Sequence, residues 1–502
     1  MVFSSLEFIY IFLPPTLLGF LILRALGWER GIIWWLIMAS LAFYAWWSVT
    51  HLFLLLGSVA VNYGFHKALV RHKSKVILTI GIVLNLLTLA YFKYADFLIA
   101  NVNLATDSDV HLLGIILPLA ISFFTFQQIS LLHDTYKGTV EDCDFSRYTL
   151  FVVFFPQLIA GPIVLQRDTI PQFKLAIFQS RLFVNLAVGA TLFSIGLFKK
   201  IVLADGVAPM ANAVFGLADA GETVPMEAAW AGVLAYTFQI YFDFSGYCDM
   251  ALGLARLFGI RLPINFNSPY KAMSIVDFWR RWHITLSRFL REYLYFPLGG
   301  NRGSRVRRYF NLFATMVLGG LWHGASWNFV VWGTLHGLYL TINHAWSGIV
   351  GETNIFGFVP PIIRRLCSQA VTLMAVIVAW VFFRAETLGG AFLVLEGMFI
   401  VPRINQPSPL WDAVLADSGQ FWIQCVILTG IVLLAPNAIE LVKRYRPVID
   451  VQGALKNMRA FGKEVVWRPS PIWSVASFAV ALTAIIQIYR LDDLTEFIYF
   501  NF

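Results

Sequence analysis

Three histidines lie in or beside apolar stretches of the sequence, where an ionisable side chain is unusual. His323 and His336 share one such stretch, and His283 precedes them in a segment rich in arginine and aromatic residues. Ionisable residues at such positions are functional candidates by default. Because imidazole has an ordinary pKa of about 6.5, these rings could accept the proton of a reacting hydroxyl. The competing interpretations are a buried structural histidine and a proton-relay histidine of a transporter.

Glycines flank His323 on both sides, at Gly319, Gly320 and Gly324. A residue without a Cβ lets another backbone or a substrate approach closely. This pattern is unlike that of an ordinary packing residue. It predicts a buried imidazole with a second backbone or a substrate beside it.

The segment 277–300 alternates aromatic residues with arginines. It is too charged to span a membrane and too apolar for a free loop, so it is expected to lie at the interface or to enter the membrane partway, covered by protein. The alternative is a cytoplasmic amphipathic helix that only anchors lipid headgroups. Pairs spaced i,i+4 are expected to interact along it; they are Asp277 with Arg281, His283 with Ser287, and Arg288 with Glu292.

A second polar run, 241–249, places Asp243 and Asp249 on either side of Gly246. Six residues apart, the two carboxylates share a helix face poorly, and the glycine between them predicts a break. Two interpretations stay open with even weight. The carboxylates either pair with Arg256 and Arg261 to stabilise a bend, or they line a channel.

Several kinds of chemistry lack a motif in this sequence. There is no G-x-S-x-G elbow, and no H-E-x-x-H, Walker A or G-x-G-x-x-G pattern. The four cysteines are scattered without C-x-x-C pairing, so neither a disulfide framework nor a metal site is predicted. Histidine chemistry inside a membrane is the enzyme class that remains.

The composition indicates that the histidines are positioned by membrane helices. The 502 residues are 58% hydrophobic and only 13% charged, against about 25% charged in soluble domains. The net charge of +8 is explained by basic cytoplasmic loops, and no nucleic-acid partner is predicted. Apolar runs that could span a bilayer occur near 5–26, 31–47, 51–65, 76–97, 110–132, 184–203, 227–243, 309–325, 327–346, 370–387, 421–435 and 471–490.

Charge asymmetry orients these runs. Residues 280–308 and 443–468 are densely basic and should be cytoplasmic, whereas 100–110 and 204–228 are acidic and should face out. The chain is expected to keep its first helix and to form one membrane domain over 1–502, with 388–420 as an external loop and 441–470 as a cytoplasmic amphipathic segment. Both termini should lie outside.

Two blocks of sequence resemble signatures of the membrane-bound O-acyltransferase (MBOAT) family. They are DFWRRWHITLSRFLREYLYFPLGGNR (277–302) and LGGLWHGASWNFVVWGTLHG (318–337), and further blocks agree over most of the chain. Within the family they look most like membrane subunits of bacterial alginate O-acetyltransferases. Glu292, where an aspartate is expected, is a small departure.

The resemblance implies an all-α, multi-pass fold in which tilted helices and re-entrant segments ring a central funnel. It implies that His323 is catalytic, with His283 as a second catalytic histidine, and it assigns no role to His336. The implied acyl donor is acetyl-CoA, entering from the cytoplasm. On electrostatic grounds Arg280, Arg281 and Arg288 are candidates to bind its phosphates, although positive-inside topology alone would also place arginines there.

The expected activity is therefore O-acetylation of an exopolysaccharide such as alginate, at the bacterial inner membrane. A separate extracytoplasmic transferase is the expected partner, and the tail 496–502 is either its docking element or an aromatic interfacial anchor. Peptidoglycan O-acetylation and D-alanyl transfer to teichoic acid are alternatives with the same mechanism. A transporter or flippase without chemistry is the alternative from another class.

Overall fold

A computed structural model describes residues 1–140, 142–353, 358–400, 409–416, 418–451, 453–455, 467–490 and 497–498. Within these ranges the regular structure is helical, and the single β-type pairing they contain is an isolated bridge between Pro263 and Ile449. The α-helices in chain order are α1 Leu13–Ala25, α2 Glu29–Ala45, α3 Val49–His72, α4 Lys75–Thr106, α5 Ile121–Lys137, α6 Phe145–Val153, α7 Phe155–Leu158, α8 Gln166–Thr169, α9 Leu175–Phe178, α10 Leu182–Phe198, α11 Ala208–Asp219, α12 Met226–Leu257, α13 Ile275–Trp279, α14 Ile284–Leu290, α15 Arg305–His323, α16 Trp327–Thr353, α17 Pro361–Arg384, α18 Leu388–Phe399, α19 Pro409–Leu415, α20 Ser418–Leu434, α21 Ala438–Val442 and α22 Pro471–Ile488.

Six helices in the described part of the chain are long and apolar enough to cross a membrane. A seventh span results if α20 and the helical segment Ala438–Tyr445, bent by 43° at their junction, count as one. The six are Glu7–Ala25, Val49–His72, Lys75–Thr106, Leu182–Ala204, Pro361–Arg384 and Pro471–Ile488. The all-α, membrane-spanning prediction is confirmed.

Three of the other predicted spans fail this test for local reasons. α2 has 17 residues, and α15 begins with three arginines in its first turn. The run 110–132 is helical only from Ile121 onward. The ring of helices around a funnel stays a prediction.

The packing groups the chain into two compact units. The first contains Met1–Phe198, Gly246–Ile264 and Ala438–Phe502, and the second contains Lys199–Ser245 and Asn265–Asn437. Every histidine candidate belongs to the second unit. The prediction of one domain stays a prediction.

Several helices begin at a polar residue that accepts a backbone hydrogen bond. Asp144 Oδ1 accepts from the Arg147 N–H at 2.9 Å before α6, and the Thr387 hydroxyl accepts from the Gly390 N–H at 2.9 Å before α18. Such caps satisfy the donors that a helix start leaves open. The sequence therefore specifies where these helices begin.

Inside the first unit, glycines bring α10 against the second half of α12. A Cβ on Gly196 would lie 2.5 Å from the Gly246 carbonyl oxygen, and one on Gly253 would lie 2.6 Å from the Gly189 carbonyl oxygen. Small residues at such spacing let two membrane helices touch along their backbones. The predicted break at Gly246 is wrong, because this glycine serves close packing within a continuous helix.

Two predicted segments are only partly described. The stretch 388–420 contains α18 and α19, with 401–408 and 417 outside the described residues, and 441–470 contains the short helical turn Lys443–Tyr445, with 452 and 456–466 outside them. Their placement on opposite sides of a membrane stays a prediction.

The end of the chain contributes to the core of the first unit. Phe497 is 3% exposed, and its ring stacks on Tyr247 at 4.4 Å between centroids. Tyr247 stacks in turn on Phe3 at 4.8 Å. Phe497 is thus a packing residue, whereas 491–496 and 499–502 lie outside the described residues.

Candidate active site

His323 is the last residue of α15, and a short turn leads from it into α16. Ser304 starts α15 by accepting a hydrogen bond from the Arg307 N–H at 3.2 Å. The helix ends because the next residue, Gly324, adopts an extended backbone with φ of −165°. His323 is therefore held at a defined helix end.

The glycines near His323 allow close contact between α15 and α16. A Cβ on Gly320 would collide with the Phe329 carbonyl oxygen and would lie 3.0 Å from the Gly333 Cα. A Cβ on Gly324 would collide with the Phe329 ring. The predicted approach of a second backbone is confirmed at Gly320, and the space beside Gly324 is filled by an aromatic ring.

The imidazole of His323 is buried among aromatic rings, with 2% of the residue exposed. Its ring centroid lies 4.9 Å from that of Trp332 and 5.2 Å from that of Phe383, both in edge-to-face contact. Rings in this geometry restrict the orientation of the imidazole. The aromatic contacts therefore help to hold the ring of His323 in place at the end of the helix.

His336 lies one helix further along, on α16, and is fully buried. The indole N–H of Trp279 donates a hydrogen bond to His336 Nδ1 at 3.2 Å. Because indole nitrogen is a donor only, Nδ1 must be the accepting atom, and the neutral ring carries its proton on Nε2. Trp279 was not among the predicted site residues, since nothing in its local sequence distinguishes it from neighbouring aromatics.

His283 lies between α13 and α14 and is also fully buried. Its backbone adopts a left-handed conformation with φ of 41°, which is uncommon for a residue with a side chain. Its Nδ1 lies 3.1 Å from the Asn265 side-chain oxygen. The prediction that the side chains of His283 and Ser287 interact is wrong, because the left-handed turn directs the imidazole to Asn265 instead.

Ring contacts connect the three histidines. The rings of His283 and Trp322 lie 6.4 Å apart, and Trp322 precedes His323 in α15. From His323 the contacts continue through Trp332, whose ring lies 4.7 Å from that of His336. We call these three histidines, with Trp279, Trp322 and Trp332, the histidine–tryptophan cluster.

The segment around His283 is packed inside protein. Phe278 and Trp282 are each 1% exposed, and Trp282 contacts Trp380 with 4.9 Å between centroids. A helix that only anchors lipid headgroups would leave such rings on its surface. The burial therefore supports the interpretation in which the segment is covered by protein.

The three candidate arginines differ in their surroundings. Arg281 Nε donates to Asp277 Oδ1 at 2.9 Å, and Arg288 Nε donates to Glu292 Oε1 at 3.2 Å, as the i,i+4 spacing predicted. Arg280 is exposed. Phosphate binding by these residues stays a prediction, and the carboxylates beside Arg281 and Arg288 already satisfy part of their charge.

A second buried polar group in this unit was not predicted. Lys200 Nζ lies 2.9 Å from Asp205 Oδ1 and 2.7 Å from Asp243 Oδ1, and each of the three side chains is at most 5% exposed. Asp243 therefore pairs with a lysine, a partner that neither interpretation of the sequence included. We call Lys200, Asp205 and Asp243 the ion cluster.

The model of the membrane-bound O-acyltransferase family matches residues 77–384 of this chain, which is more than half of it. The chain belongs to this family. As a family member it is a multi-pass membrane acyltransferase, and its reaction requires an acyl donor as substrate. The alternative of a transporter without chemistry is therefore not supported.

Curated relatives agree with this family. The chain is 45% identical to the peptidoglycan O-acetyltransferase of Helicobacter pylori over 79% of its length and 80% of that protein. It is 42% identical to the probable alginate O-acetylase AlgI of Pseudomonas aeruginosa, over 80% of its length and 75% of that protein. The teichoic acid D-alanyltransferase of Streptococcus thermophilus is 28% identical over 45% of this chain and 57% of that protein.

The family match contains both buried polar groups. It extends from within α4 to the end of α17 and so includes the histidine–tryptophan cluster and the ion cluster. The helices α18 to α22 lie beyond it. The part of the chain that matches the family thus contains both groups of buried ionisable residues in the second unit.

Proposed function

We propose that this membrane acyltransferase moves an acetyl group from cytoplasmic acetyl-CoA across the bacterial inner membrane to hydroxyl groups of an extracytoplasmic polysaccharide, with His323 as the catalytic residue. The observation that carries the proposal is the burial of His323 among aromatic rings, at a fixed helix end within the family match. Two relatives over 40% identical are named as an O-acetyltransferase and a probable O-acetylase, which supports acetyl as the group transferred.

Two reaction courses are compatible with His323. In one, His323 takes the proton of the acceptor hydroxyl while the oxygen attacks the thioester carbonyl, and the CoA thiolate leaves and is then protonated. In the other, the imidazole attacks the carbonyl, CoA leaves, and the acceptor oxygen then displaces the imidazole while losing its proton. Both need a neutral imidazole at the start.

His283 is proposed as the second catalytic histidine, because ring contacts through Trp322 link it to His323. Among the arginines, Arg280 is the best candidate for the donor's phosphates, since Arg281 and Arg288 pair with carboxylates. A phosphate would have to compete with those carboxylates for the two guanidinium groups.

The acceptor is proposed to be an exopolysaccharide such as alginate, as named for the Pseudomonas aeruginosa relative. Peptidoglycan is the second candidate, favoured by the relative from Helicobacter pylori. D-alanyl transfer has less support, because that relative matches less than half of the chain. A separate extracytoplasmic transferase is the proposed partner that sets the group on the polymer.

The test compares inverted membrane vesicles that contain the wild-type chain or His323→Ala and receive acetyl-CoA labelled in its acetyl group. Label should reach protein or polymer with the wild type and should fall to background with His323→Ala at equal expression. His111→Ala is the matched control, because His111 is exposed and lies outside the cluster. Normal labelling by His323→Ala would contradict the catalytic assignment.

The acceptor is tested by deleting the gene and measuring ester-linked acetyl groups in two fractions. Loss from secreted polysaccharide alone supports the exopolysaccharide, and loss from purified peptidoglycan alone supports the second candidate. Unchanged acetyl content in both fractions would contradict the proposed class of acceptor.

A further inference from the structure

Asn265 makes four contacts with the turn that carries His283. Its side-chain oxygen lies 3.1 Å from His283 Nδ1, and it accepts hydrogen bonds from the Thr285 backbone N–H at 3.2 Å and the Thr285 hydroxyl at 2.8 Å. Its backbone carbonyl accepts from the Ile284 N–H at 2.9 Å. Asn265 therefore contacts all three consecutive residues from His283 to Thr285.

The contact with Thr285 determines which end of the Asn265 amide faces His283. A backbone N–H can only donate, so the atom it contacts must be the amide oxygen and not the nitrogen. The same oxygen faces His283 Nδ1. Since an amide oxygen can only accept, Nδ1 must carry a proton, and in the neutral ring the lone pair is then at Nε2.

The surroundings of His283 restrict the orientation of its ring as well as the position of its proton. The Phe244 ring meets the His283 ring edge to face, with centroids 4.8 Å apart and an angle of 89° between planes. Trp322 lies 6.4 Å away. The left-handed backbone at His283 is strained and persists only where the surroundings hold it. Here the bonds from Ile284 and Thr285 to Asn265 hold it.

We infer that Asn265 is a positioning residue that locks His283 in the Nδ1–H form, so that the imidazole offers the Nε2 lone pair to the reaction. Nothing in the local sequence signals this, because the two residues are 18 positions apart and meet only through the turn. The inference rests on the proposed function in one respect: the lone pair matters for acyl transfer only if His283 takes part in it. Asn265 itself does not touch the reacting atoms.

The proton position is tested without any activity measurement. The full chain, labelled with ¹⁵N in histidine and placed in lipid nanodiscs, should give a His283 signal with a protonated Nδ1 and an unprotonated Nε2. His283→Gln assigns that signal by its loss. A protonated Nε2 and an unprotonated Nδ1 at His283 would overturn the inference, whatever the fate of the proposed function.

The positioning role is tested by kinetics on three variants. Asn265→Ala should lower kcat by about tenfold to a hundredfold with little change in the KM for acetyl-CoA, the range seen when an orienting partner of a histidine is removed at metal sites. Asn265→Asp keeps an oxygen acceptor for Nδ1–H and should recover most of the loss. Thr285→Val is the matched control, because it removes a hydrogen bond to the same oxygen but leaves the contact with His283.

These outcomes separate positioning from general stability. If Asn265→Ala and Thr285→Val lose kcat equally, or if Asn265→Asp recovers nothing, the oxygen acts on the turn and not on the ring, and the inference is wrong. If Asn265→Ala fails to accumulate, the kinetics of Asn265→Asp and the ¹⁵N signal of the wild type still test the positioning role. If the ¹⁵N result holds while Asn265→Ala keeps full kcat, the lone pair is not used, and the positioning role is overturned.

Discussion

The second unit buries polar groups in two regions, the histidine–tryptophan cluster and the ion cluster. In the first, the imidazoles of His283 and His336 have neutral partners, an amide and an indole. In the second, one ammonium group lies between two carboxylates, at 2.9 and 2.7 Å. Burying ions costs far more than burying neutral groups, and the cost is offset only while every partner is present.

The difference separates a reactive site from a structural one. Neutral partners hold each imidazole in one tautomer and place no paired charge beside it. The paired charges of Lys200, Asp205 and Asp243 are instead mutually dependent, since loss of Lys200 removes the cation that both carboxylates contact. We therefore expect substitutions in the ion cluster to affect folding first and substitutions in the histidine–tryptophan cluster to affect turnover first.

The largest effect is expected for Lys200→Met, which leaves two carboxylates buried without their cation. Removing one partner of a buried ion pair costs about 3–5 kcal/mol. The variant should accumulate poorly in membranes and unfold at a markedly lower temperature in detergent, as followed by its circular dichroism.

Lys174→Met is the control for Lys200→Met, because Lys174 is an exposed lysine outside the ion cluster. It should unfold close to the wild type. Equal stability of Lys200→Met and the wild type would show that the ion cluster is not a structural element and would remove the contrast between the two regions.

A residue of these two regions can be predicted from the sequence only if the feature that marks it lies in the residues next to it along the chain. His323 and His336 could be found from the sequence, because an imidazole within an apolar run is conspicuous without knowledge of the fold. The pairs Asp277–Arg281 and Arg288–Glu292 were predictable for a similar reason, since i,i+4 spacing alone brings them together.

Lys200 and Asn265 could not be found in this way. Lys200 follows an apolar run, where a lysine is ordinarily an interfacial residue that reaches water, and Asp243 reaches it from a different helix. Asn265 meets His283 only because the backbone at His283 turns left-handed. Gly246 was misread because a glycine that allows two helices to touch has the same local sequence as one that breaks a helix.

A smaller effect is expected when all charge is removed from the ion cluster at once. The triple variant Lys200→Met, Asp205→Asn, Asp243→Asn replaces all three ions of the cluster with neutral side chains, so it should recover most of the stability that Lys200→Met loses. The double variant with both asparagines and the native Lys200 strands a buried ammonium and should be unstable again. If the triple variant is no more stable than Lys200→Met, side-chain shape and not charge holds this region together.

The smallest effect is expected in the histidine–tryptophan cluster, for Trp279→Phe. This change removes the indole N–H that donates to His336 Nδ1 at 3.2 Å but keeps an aromatic ring beside the imidazole. A neutral hydrogen bond contributes about 0.5–1.5 kcal/mol to stability, so the unfolding temperature should fall far less than in Lys200→Met.

The matched control for Trp279→Phe is Trp332→Phe. Trp332 also contacts the His336 ring, at 4.7 Å, but its indole nitrogen has no hydrogen-bond partner in the described part of the chain. If the hydrogen bond holds His336, Trp279→Phe should release the ring to exchange its proton between Nδ1 and Nε2, visible in the ¹⁵N histidine spectrum, whereas Trp332→Phe should not. Identical spectra for the two variants would mean that ring packing alone fixes His336, and the assignment of its proton to Nε2 would then lose its physical basis.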